Sequence, residues 1–133
     1  AARYDLPVLA AAAQQCAAEG LRWGLRVPDV GAYARYLINT LDPPLLAVPS
    51  SAVIAGEVTA PVLWATLSRE ELLAGAEHAR EQVERMRLAA GERGLVVDVG
   101  DGGLARCTNS AERRLLFDSV AAVLQMAGGA VAE

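Results

Sequence analysis

The chain has 133 residues, 53% of them hydrophobic, with 12 basic against 16 acidic side chains and a formal net charge of −4. That length suits a single domain, expected over residues 1–133, with a real core, and the apolar content excludes a disordered chain. The acidity argues against non-specific nucleic-acid binding, which needs a basic surface to displace counterions, and no apolar run reaches the roughly 18 residues of a membrane span.

In chain order, Asp5-Leu6-Pro7 predicts a helix over 5–19, with an N-cap acid and a proline in the first turn, where its missing N–H costs little. Gly20 is the expected stop. Pro28-Asp29 opens a second helix over 29–41, in which Val30, Ala34, Leu37 and Leu41 recur at helical spacing, and Asp42-Pro43-Pro44 ends it. From Leu45 to Leu67 the character changes. Short apolar runs rich in β-branched residues, bounded by Pro, Ser and Gly, predict strands near 46–48, 51–58 and 61–66.

Ser68 and Glu71 have the spacing of a capping box and start one long helix over 68–91, about 35 Å at 1.5 Å per residue. Leu72, Ala76, Ala79, Val83, Met86 and Ala90 form a thin apolar seam along it. Such a seam suits packing against a sheet first and a dimer contact second. LVVDVGDGGLARC then raises the choice between a phosphate cradle, a metal loop and a turn. A phosphate loop leads from a strand straight into a helix, and a calcium loop needs more carboxylates than Asp98 and Asp101 supply. A hairpin fits instead: a loop of Gly100, Asp101 and Gly102 pairs strands near 95–99 and 103–107, places Leu95, Val97, Val99, Ala105 and Cys107 on one face, and gives Gly102 the left-handed position. Asn109, three residues before Glu112, caps a last helix over 110–127, where Arg113 and Arg114 occupy the end that disfavours cations.

These elements predict an α+β fold: a small, mainly antiparallel sheet covered by helices. The order of helix, strands, long helix, hairpin and helix, with the acidity, is similar to that of dimeric secretion chaperones, a likeness of element order that rests on no motif.

Chemistry is sparse. Every basic residue is arginine, so Schiff-base chemistry, a pyridoxal anchor and a Walker-type lysine are all excluded. The same bias matches the bacterial-like composition of a GC-rich coding sequence. Cys16 and Cys107 read as small buried thiols rather than a bridge. No cofactor and no metal are expected, since His78 is the only histidine and no ligand set accompanies it. With no basic segment at the start, a secretory signal is not expected, and a cytoplasmic protein is.

Three functional readings follow, the first favoured. It is a non-enzymatic protein-interaction module, such as an adaptor, an assembly subunit or a small acidic chaperone-like protein. Its partner is a protein or a second copy in a homodimer, with neither nucleic acid nor membrane, through Ala76, Ala79, Val83, Met86 and Trp64. The second is a small-ligand site on the Tyr33, Tyr36 and Asn39 helix face together with Trp23, since tyrosine offers an apolar body and a hydroxyl. The third is a small enzyme with His78 as general base beside Glu81 or a cysteine.

Overall fold

A computed structural model describes residues 6–100 and 104–126. Its elements are α1 (Leu6–Ala18), β1 (Leu25–Arg26), α2 (Ala32–Leu41), β2 (Leu45–Pro49), α3 (Ser50–Ile54), β3 (Val62–Thr66), α4 (Arg69–Leu73), α5 (Ala76–Ala90), β4 (Gly94–Asp98), a 3-10 turn (Leu104–Arg106) and α6 (Ser110–Met126). The four strands form one sheet in the order β1-β2-β3-β4, and every pairing is parallel.

The antiparallel sheet expected from the sequence is therefore overturned. Each strand returns to its neighbour's side through a helix, as parallel pairing requires. Two segments account for the error. Residues 51–58, read as a strand on their β-branched content, begin with the one-turn helix α3 and supply the crossover from β2 to β3. Residues 103–107, read as the return strand of a hairpin, instead contain the 3-10 turn, and among the described residues β4 pairs with β3 alone. Gly102 and the expected loop centre lie outside the described residues, and without the hairpin the element order of the secretion chaperones is lost.

Helix ends follow local chemistry closely. At the end of α1 the amides of Leu21 and Gly20 return to the carbonyls of Cys16 and Ala17, and Gly20 takes a positive φ of 69°. This is the paired closure that glycine favours. Asp42 ends α2 in the left-handed region, with its N–H on the Ile38 carbonyl. The capping box at Ser68 and Glu71 is present in full. The long helix it was expected to start breaks after one turn, however, because Gly75 adopts φ 110° and re-aims the chain into α5. At Asn109 the side-chain oxygen accepts from the Glu112 amide at 2.8 Å.

The core lies between the sheet and one helical layer. Leu46, Val48, Leu63 and Ala65 pack in one cluster with Leu37 of α2, Val53 of α3, Val83 and Met86 of α5 and Leu116 of α6. Right-handed crossovers between successive neighbours all swing the same way, so an order without reversal puts every crossover helix on one face. Within that layer α5 packs between α3 and α6. Leu115 lies over Gly75, and Arg87 reaches the Met126 carbonyl, so α5 and α6 run parallel with α6 outermost on the β4 side. Among the described residues, no helix is long and apolar enough to cross a membrane.

Candidate functional site

Among the described residues, no helix covers the opposite face of the sheet. Side chains alternate along a strand, so the residues between the core positions point there. In β3, Leu63 and Ala65 are buried while Val62, Trp64 and Thr66 are half-buried. In β4, Val96 is 37% exposed. Register sets Ala47, Trp64 and Val96 side by side, with Pro49, Thr66 and Asp98 in the next row. Trp64 thus sits at the middle of an apolar surface, between a small and a medium side chain. Ala47 alone on this face is buried, at 8% exposure, as a small residue beside an indole should be.

Polar groups occur at the rim. Trp64 Nε1 donates to Asp98 Oδ2 at 3.0 Å, and the other carboxylate oxygen accepts from the Gly100 amide at 2.8 Å. Arg26, on the opposite edge strand, is exposed. The indole edge is fixed in place, leaving its apolar ring as part of the surface.

At the carboxyl ends of the strands, a cleft of about 270 Å³ is lined by Arg26, Pro28, Ala47, Pro49, Thr66 and Ser68. Ligands of open α/β sheets settle at this end, where a reversal in strand order parts neighbouring loops. This sheet has no reversal, and the cleft is smaller than the roughly 300–1,000 Å³ of ordinary ligand sites. The polar groups beside it are also mutually satisfied: buried Ser50 donates to both Glu71 oxygens at 2.7 and 2.9 Å, and the Ser68 amide donates to Glu71 Oε1 at 3.0 Å. A larger, shallow depression of about 560 Å³ at the other pole is lined by Pro61, Ala89, Ala90, Gly91, Glu92 and Arg93.

The residues singled out in the sequence are scattered. Tyr33 and Tyr36 are exposed with ring centroids 6.5 Å apart. Asn39 lines a small cavity of about 100 Å³ with Arg35 and Glu57. Trp23 packs half-buried against the core. Of the interface candidates, Ala79, Val83 and Met86 are buried within their own chain, Ala76 is half-buried, and Trp64 lies on the far side of the sheet. His78 is half-buried on α5, and Glu81 is exposed one turn on. Cys16 and Cys107 are half-buried thiols. Among the described residues, no group of three or more His, Cys, Asp or Glu side chains is placed to hold a metal ion.

The sequence reading missed the surface around Trp64 and the Ser50–Glu71 bond. Two strand-like runs separated by a long helical pattern, PVLWATL and LVVDV, were the available signal for a parallel crossover. Comparison with protein-family models, curated proteins and solved structures finds no match.

Proposed function

We propose that the protein is a protein-interaction module, an adaptor or assembly subunit, that receives an apolar helix of a partner protein on its uncovered sheet face. The observation that carries this reading is the one-sided sheet. Parallel sheets are ordinarily covered on both faces, almost always by helices, and here the second face presents Trp64, Val62 and Val96 with no covering layer among the described residues. Strands about 4.8 Å apart, rising about 3.3 Å per residue, give a face of about 300 Å². One helix about 10 Å in diameter spans it.

A photo-crosslinking residue at position 96 in the native host tests the reading. The expected result is crosslinks to an amphipathic helical segment of one protein, with the synthetic segment binding wild type and losing binding to Trp64→Arg. Absence of any crosslinked segment, or binding indifferent to Trp64→Arg, overturns it.

A further inference from the structure

A second surface, distinct from the sheet face, lies along the outer edge of β4. Gly94 N–H bonds to the Pro61 carbonyl, and the Asp98 carbonyl accepts from the Leu67 amide. These bonds fix the parity of β4: Gly94, Val96 and Asp98 turn their backbone groups towards β3, while Leu95 and Val97 turn theirs outward. Among the described residues nothing pairs with those outward groups. The strand itself has no proline and no lysine, and its one charge, Asp98, accepts a hydrogen bond from Trp64.

We propose that two copies pair β4 to β4 antiparallel about a two-fold axis at Val96, forming one continuous sheet. That register is self-complementary. Leu95 of each copy meets Val97 of the other as a pair exchanging both N–H···O bonds, Val96 meets its own mate, and Asp98 lies opposite Gly94 rather than another carboxylate. The helical layer agrees. Since α6 is the outermost helix on the β4 side, the same axis sets two α6 helices side by side and antiparallel.

On α6, Ser119 and Leu115 face α4 and the turn at Gly75. Helical spacing puts Phe117 and Leu124 on the opposite side, and both are exposed, Phe117 at 57%. Phe117 of one copy then meets Leu124 of the other. Charge fits as well. Arg113 stands in the first turn of α6, the unfavourable end of its own helix, and no described residue forms an ion pair with it. In the antiparallel pair it faces the C-terminal carbonyls of its mate's α6, where a cation is stabilised.

Sedimentation over a concentration series, with amide hydrogen exchange by NMR, tests this proposal. Expected are a dimer, slow exchange at Leu95 and Val97, dissociation and fast exchange at both amides in Phe117→Glu/Leu124→Glu, and several-fold weaker association in Arg113→Glu. Unchanged melting of these variants separates loss of pairing from loss of fold. A strict monomer at NMR concentrations overturns the proposal. So does a dimer with fast exchange at Leu95 and Val97, or one dissolved by Trp64→Arg but not by the α6 variant; neither result bears on helix docking at the sheet face in a partner complex.

Discussion

Trp64 and Asp98 join neighbouring strands through a 3.0 Å hydrogen bond from indole to carboxylate on the uncovered sheet face. The same carboxylate holds the Gly100 amide, so one side chain orients the apolar centre of the face and shapes the exit of β4. Asp98→Ala is expected to lower stability by about 1–2 kcal/mol, since neither donor is deeply buried. Asp98→Asn should fall between, because an amide offers one accepting oxygen where the carboxylate offers two. Urea unfolding of the three proteins checks the order; equal stability of Asp98→Ala and wild type refutes it.

Glu71 carries a heavier load. Its carboxylate completes the cap of α4 and accepts from Ser50, whose side chain is fully buried. Glu71→Ala should cost about 2–4 kcal/mol, combining a lost cap with a hydroxyl left unpaired in the interior. Ser50→Ala made on top of Glu71→Ala should then cost little or even restore stability. A double-mutant cycle in urea measures this coupling, and simple additivity would show that the two residues act separately.

Gly75 separates α4 from α5 at φ 110°, and a Cβ there would find only Leu115 Cδ1 at 3.9 Å. Space is ample, so the penalty for Gly75→Ala lies in the backbone, at about 1–3 kcal/mol. Adding Leu115→Ala should recover none of it. Recovery in a thermal melt would mean that crowding, not conformation, sets the penalty.

The local chemistry of this fold was legible in the sequence. Ser68 with Glu71, Asn109 with Glu112, and Asp42 before two prolines mark helix ends, because capping involves residues within a turn of one another. Strand direction was not legible in the same way. Residues such as Val53 and Ile54 favour strands intrinsically, yet Ser50 is anchored to Glu71 across 21 positions, and the chain between β2 and β3 must cross over. Tertiary context overrides propensity there. Leu104, Ala105 and Arg106 were misread on an alternation too short to separate strand from turn. Trp64 was nameable as an interface residue, but its side of the sheet depends on the hand and order of crossovers, which no window of sequence contains.

Strand order also governs how the chain can assemble. Leu25 pairs with Leu46, Leu46 with Leu63 and Leu63 with Leu95, so each new strand docks on the one made just before it. No strand waits for a distant later segment to be slotted between its neighbours. Loop-closure entropy is therefore met in modest steps, and the sheet can grow vectorially as the polypeptide leaves the ribosome.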